Sequence, residues 1–261
     1  MAELPFAKKS LGQHWLTDQA SLEAMCDAAA IRPTDTVLEI GPGLGTLTTL
    51  LVKRAQQVIA VEFDHKLATE LSKRIGAPNL TVVSQDILSF DFTSLPAAYK
   101  VVANIPYYLT SNLVRVISET PNPPQLATLL VQREVAERIA AKTSDMSLLS
   151  VTAQFYWQAE LGQSVPAFLF TPPPKVDSQI ITLTRRNPVL FPEVDTKGYF
   201  QLVKAGFGQR RKTLLNSLSS GLHLSKQATQ ELCKKANIEP TRRAQTLSLE
   251  EWHQLYQAVN T

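Results

Sequence analysis

Three glycines at alternate positions, in Glu39-Ile40-Gly41-Pro42-Gly43-Leu44-Gly45, follow the apolar run Thr36-Val37-Leu38-Glu39-Ile40 and lead into an amphipathic segment. A strand that hands over to a helix through glycines leaves bare backbone at the handover, and a ligand can approach that backbone closely. This strand, glycine turn and helix (Leu44 to Ala55) read as the opening unit of an α/β sheet, and the alternation of apolar runs with amphipathic segments continues to about Leu183. Further strands are expected at Gln57 to Glu62, Leu80 to Val83, Tyr99 to Ala103 and Gln125 to Gln132, with a late pair near Ser150 to Leu161 and Ser178 to Thr184. Helices are expected at His65 to Ile75 and Glu134 to Lys142. The run Thr171-Pro172-Pro173-Pro174-Lys175 can be neither helix nor central strand, because proline lacks the backbone donor both need.

The pattern changes after Arg186. A proline-containing linker, Asn187 to Glu193, precedes helical stretches near Lys197 to Phe207, Lys212 to Ser219, Gln227 to Ala236 and Leu249 to Val259. Ser248 with Glu251 three residues on has the form of a capping box opening the last of them. Two parts are therefore expected: an α/β body over residues 1–186 and a small all-α domain over 187–261. Charge divides similarly. Residues 1–184 carry 14 Lys+Arg against 17 Asp+Glu, whereas residues 185–261 carry 12 against 6. A basic tail suits a polyanionic partner such as nucleic acid, although a solvated helical surface also carries such an excess. Cys26 and Cys233 lack Cys-x-x-Cys spacing, so neither a disulfide framework nor a metal cluster is expected. No membrane-length apolar run or signal-like N-terminus is read, and a cytoplasmic protein is expected.

The third glycine decides between cofactors. A dinucleotide fold would place it five positions after Gly41, where Thr46 stands, and it falls at Gly45 instead. That spacing favours S-adenosylmethionine over NAD. Twenty-one residues after Gly41, Glu62 ends the second strand, where a carboxylate can accept from both ribose hydroxyls of a nucleoside. Asp86 follows the third strand, suited to an adenine amino group, and Asn104 closes the fourth. A single loop carboxylate is commonly just solvated, but polar residues at successive carboxyl ends of strands mark the edge where open α/β sheets bind ligands.

Asn104-Ile105-Pro106-Tyr107 joins an amide, a rigid turn and an aromatic face. Pro106 removes a backbone donor and pushes Ile105 into an extended conformation, so carbonyls here can point into a pocket. The Asn104 side-chain oxygen and the Ile105 carbonyl could accept both hydrogens of an exocyclic amine while Tyr107 stacks on the base. The competing reading is a strand that ends in a Pro-Tyr turn.

These blocks, with Leu11-Gly12-Gln13-His14-Trp15-Leu16, Phe170-Thr171-Pro172-Pro173-Pro174-Lys175-Val176-Asp177-Ser178 and Gln209-Arg210-Arg211-Lys212-Thr213-Leu214, resemble in order those of the ribosomal RNA adenine dimethyltransferases. The resemblance covers almost the whole chain. The last block and Arg243-Ala244-Gln245-Thr246-Leu247-Ser248 look most like the branch that acts on the small subunit. It implies a Rossmann-like class I methyltransferase sheet with a C-terminal helical domain, and N6,N6-dimethylation of two adjacent adenosines in the 3′-terminal hairpin loop of 16S rRNA. It further implies that Gly41 and Gly43 hold the methionine part of S-adenosylmethionine, Glu62 its ribose, and Asp86 and Ile87 its adenine, with His14 and Leu16 closing over it and Asn104 bordering cofactor and base. Where the family usually has Asn-Phe, this chain has His14-Trp15. Tyr107 and Phe170 are expected on the two faces of the flipped base, though Phe170 also fits plain core packing. Lys204, Arg210, Arg211 and Lys212, with Lys234, Lys235, Arg242 and Arg243, are expected on rRNA phosphates. The implied partner is the small ribosomal subunit, met by a monomer. Other readings are a large-subunit rRNA methyltransferase of the antibiotic-resistance type, a non-catalytic RNA-binding assembly factor and, against the glycine spacing, an NAD-dependent enzyme.

Overall fold

A computed structural model of the chain describes residues 7–8, 11–209 and 211–260. In chain order its strands and α-helices are β1 (Trp15–Leu16), α1 (Gln19–Ala28), β2 (Thr36–Ile40), α2 (Thr46–Arg54), β3 (Gln57–Glu62), α3 (His65–Ile75), β4 (Leu80–Ser84), β5 (Lys100–Asn104), α4 (Thr110–Glu119), β6 (Leu126–Gln132), α5 (Arg133–Ile139), α6 (Leu148–Tyr156), β7 (Trp157–Val165), β8 (Phe170–Thr171), β9 (Ser178–Arg185), α7 (Thr196–Phe207), α8 (Leu214–Gly221), α9 (Lys226–Lys235) and α10 (Leu249–Val259). Two compact units result. One gathers the chain up to Ala136 with Gln158–Arg185, and the other gathers Glu137–Trp157 with the chain from Arg186 onward.

The main sheet runs β4-β3-β2-β5-β6-β9-β7, with the β4 to β6 neighbours parallel and β9 antiparallel to β6. This is the expected Rossmann-like α/β sheet. Its inner strands are largely apolar because helices cover both faces: Val37, Leu38, Val58, Val101, Val102, Leu129 and Leu130 are all inaccessible to solvent. On one face Leu22, Met25 and Cys26 of α1 and Leu47 and Leu51 of α2 pack in one cluster with Val37, Val58 and Val102. α4 buries Leu113, Val114 and Ile117 at the period expected of an amphipathic helix.

The second unit is helical around an aromatic core. Phe155 lies 5.2 Å from Tyr199, 5.3 Å from Phe200 and 6.3 Å from Phe191, ring centre to ring centre. Those contacts explain why Glu137–Trp157 goes with the C-terminal helices rather than with the body that precedes residue 186. They also explain a correction: of the strand expected near Ser150 to Leu161, the part up to Tyr156 belongs to the helix α6, which Ser147 and Ser150 open with a reciprocal capping box. The strand begins only at Trp157. The capping box at Ser248 and Glu251 is present as expected.

α2 starts two residues later than its sequence suggests, because Gly45 adopts a left-handed conformation (φ +77) and caps it. A β-carbon added there would come within 2.5 Å of Leu71 on α3, whose side chain is fully buried. Gly45→Ala is therefore expected to lose about 2–4 kcal/mol, from the left-handed backbone and the overpacked core together. Urea denaturation should show the midpoint falling with an unchanged slope.

Candidate active site

In the parallel register Ile40 lies opposite Val61 and Ala103, and Glu62 opposite Ser84. Gly41, Glu62, Asp86 and Asn104 therefore stand along one edge of the sheet, where the strand order turns outward from β2 to both sides. They line a single pocket together with His14, Leu16, Gly43, Ile87, Ile105, Pro106, Tyr107 and Phe170. The pocket lies wholly within the first unit.

Its floor is the glycine turn. Gly41 donates to the Val61 carbonyl (2.9 Å), which pins the turn to the neighbouring strand. Gly41 has φ +66, and a β-carbon there would find no atom nearer than the Asn104 carbonyl oxygen at 4.0 Å. That open space beside bare backbone fits a ligand's polar chain. At Gly43 the space is filled: a β-carbon would come within 2.7 Å of the Trp15 ring, so the indole covers this glycine.

Glu62 is nearly buried, and its two carboxyl oxygens accept from the Gly43 N–H (3.0 Å) and the Asp64 N–H (2.8 Å). Burial holds its pKa above the usual carboxylate range, while those backbone donors pull it back. A carboxylate has about four acceptor positions, so each oxygen keeps capacity for a hydroxyl. Asp86 caps a turn of 3-10 helix by accepting from Leu88 N–H at 2.9 Å. Ile87, its neighbour, is buried beneath it.

At the other end, Pro106 has φ −55 and ψ 134 and its carbonyl accepts from Leu109. Among the described residues no hydrogen bond engages the Asn104 side-chain amide or the Ile105 carbonyl. Two acceptors are thus left for a ligand amine. Tyr107 is fixed by a hydrogen bond between its hydroxyl and Ser178 (2.9 Å), and burial raises its pKa. The His14 ring stacks on it at 6.2 Å and 21°. Phe170 is only 3% exposed and packs among Leu16, Leu22 and Leu47, so most of its surface belongs to the core.

The N-terminal segment is laid across this site by pairing of Trp15 with Thr171 and Leu16 with Phe170. The Thr46 hydroxyl donates to the Leu16 carbonyl (2.9 Å). His14 Nδ1 lies 2.6 Å from the Pro172 carbonyl, which can only accept, so this nitrogen carries the proton. In the neutral ring Nε2 is then an acceptor. Sequence reasoning missed the roles of Trp15, Thr46 and Ser178; only Thr46, standing where a third glycine was sought, left a signal.

Lys204 is exposed on α7, and Arg211 and Lys212 are exposed in the turn before α8. Arg210 lies outside the described residues. Lys234, Lys235 and Arg243 are also exposed, but Arg242 is not available to phosphate as expected. Its guanidinium forks onto both oxygens of Glu251 and also donates to Thr246. Among the described residues no cluster of His, Cys, Asp or Glu could hold a metal ion, and no helix is long and apolar enough to cross a membrane.

The family model of the ribosomal RNA adenine dimethylases matches residues 6–261. A ribosomal RNA small subunit methyltransferase A from Dehalococcoides mccartyi is 47% identical over 95% of this chain and 87% of its own length. One of the same name from Clostridioides difficile is 39% identical over 97% and 91%. Among solved structures, a dimethyladenosine transferase from Plasmodium falciparum superposes with a TM-score of 0.82 at 26% identity, over 95% of this chain and 98% of that one. The 23S rRNA methyltransferase ErmE superposes with a TM-score of 0.75 at 29% identity, over 95% and 100%.

One pocket group lies deeper than the rest. Glu39 is 1% exposed, and among the described residues neither carboxyl oxygen has a partner of hydrogen-bonding geometry. Burial pushes its pKa up to about 8; the nearby Thr48 works against this and the Glu62 charge adds to it. A carboxyl protonated in the folded state and ionised in the unfolded one makes stability fall as pH rises from the usual carboxylate range to about 8. Glu39→Gln is expected to match the parent near pH 4 and to exceed it by on the order of a few kcal/mol at pH 8, read from denaturation curves across pH. Glu62, shifted in the same direction, should leave a residual slope in the variant.

Proposed function

Because the chain belongs to the ribosomal RNA adenine dimethylase family, we propose that it dimethylates N6 of two adjacent adenosines in the 3′-terminal hairpin loop of 16S rRNA, using S-adenosylmethionine, while the small subunit matures in the cytoplasm. The observation that carries this reading is the alignment of the unengaged Asn104 amide and Ile105 carbonyl with Gly41, Glu62 and Asp86 in one pocket. Relatives named for the small subunit, at 38–47% identity, favour that substrate over the large-subunit one.

In this reading Gly41 and Gly43 border the methionine part of the cofactor, Glu62 accepts from its ribose hydroxyls, and Asp86 and Ile87 border its adenine. Leu16, held by Thr46, and His14, held by Pro172, close the N-terminal side. When bound, S-adenosylmethionine supplies an electrophilic methyl group on a sulfonium. The chain's part is to make an aromatic amine nucleophilic. The N6 lone pair of adenine is delocalised into its ring. Asn104 Oδ1 and the Ile105 carbonyl accept from the two amino hydrogens, drawing the nitrogen toward tetrahedral geometry and stabilising the positive charge as it develops. The aminium so formed is acidic enough to need no strong general base. Tyr107, steadied by Ser178, stacks on the flipped base, and Phe170 bounds the pocket from its wall. Exposed Lys204, Arg211 and Lys212, with Arg210, meet rRNA phosphates and set the docking of a monomer on the subunit.

Asn104→Ala is expected to lower radiolabelled methyl transfer to unmethylated small subunits by about 100-fold or more with the fold intact. Equal labelling by the two chains would refute the assignment. Neutralising Arg210, Arg211 and Lys212 together should weaken subunit binding and reduce the slope of log affinity against log salt by about two units. An unchanged slope would remove these residues from the RNA interface.

A further inference from the structure

Tyr108 follows the clamp residue Tyr107, yet it lies at the pocket mouth with 69% of its surface exposed. Gly12, in a left-handed conformation (φ +62), lies beside it: a β-carbon added there would sit at ordinary contact distance, 3.5 Å from Tyr108 Cε1 and 3.6 Å from Cδ1. The other exposed apolar groups of the mouth, Phe63 and Leu88, adjoin Glu62 and Asp86, on the side assigned above to the cofactor's nucleoside. Tyr108 adjoins Asn104 to Tyr107, on the side assigned to the base.

We propose that Tyr108 is the stacking platform for the nucleotide that flanks the adenine drawn into the pocket. The proposal rests on the function given above. Extruding one base from a loop leaves its neighbour with an uncovered face, and an exposed aromatic ring beside the extrusion point covers it without reading its identity. The neighbour of one target adenosine is the other, so the ring holds the second substrate base while the first is methylated.

The test compares wild type with Tyr108→Phe, Tyr108→Leu and Tyr108→Ala for equilibrium binding of unmethylated small subunits, with S-adenosylmethionine binding as a parallel titration. Phenylalanine should keep subunit affinity within about twofold, whereas leucine and alanine should each lose about tenfold, with cofactor affinity unchanged in all. Leucine matching wild type would show simple apolar cover, and alanine matching wild type would show no contact. A parallel loss of cofactor binding would show a structural prop. Each of these outcomes overturns the proposal. Failure of the underlying reading shows elsewhere, as Asn104→Ala labelling subunits like wild type, and leaves the binding comparison intact.

Discussion

Two backbone N–H groups, one from the glycine turn at Gly43 and one from the start of α3 at Asp64, converge on the buried carboxylate of Glu62. Each donor would otherwise be an orphan near a helix start or turn, and the carboxylate would otherwise pay the full cost of burial. Asp64 in turn caps α3 and pairs with Lys8. The same acid thus fixes the turn beneath the pocket and the chain above it. An uncharged replacement of similar shape would retain only part of this, because charge-assisted hydrogen bonds are the stronger ones.

The carboxyl edge of the sheet was legible because parallel strands buried on both faces write themselves as short apolar runs, and the residue ending each run must face the edge. Glu62 and Asn104 end such runs, Gly41 and Asp86 stand one and two residues beyond them, and the glycine spacing and the Asn-Ile-Pro-Tyr block marked the rest. α1 and α4 were not anticipated, although each buries one face and exposes the other. α6 read as strand because it has no exposed face to mark a helical period, and its Phe155 and Tyr156 pack against Tyr199 and Phe200. Nothing in a linear pattern reveals that His14 meets Pro172 or Tyr107 meets Ser178, since those contacts join segments far apart in the chain. Arg242 carries a similar lesson. A basic residue in a basic tail looks like a phosphate ligand until its carboxylate partner, nine residues away, is seen.

His14 and Trp15 stand where the resemblance led to Asn and Phe, and the structure shows where each of these larger side chains is accommodated. The indole lies on Gly43, where no side chain competes, and the imidazole spends its Nδ1 proton on a carbonyl of the proline run. With Nδ1 committed to the Pro172 carbonyl, the side chain at position 14 has only its second ring nitrogen, Nε2, left to offer a ligand.

The pairing of β1 with β8 has a consequence for synthesis. Trp15 and Leu16 leave the ribosome early, but their partners Phe170 and Thr171 are made only after nearly the whole first unit. Contacts this distant in sequence close late, since the chain between them must first be ordered. β1 can therefore dock only once β8 has been made, about 150 residues later, and until then the nascent chain carries an uncovered glycine turn.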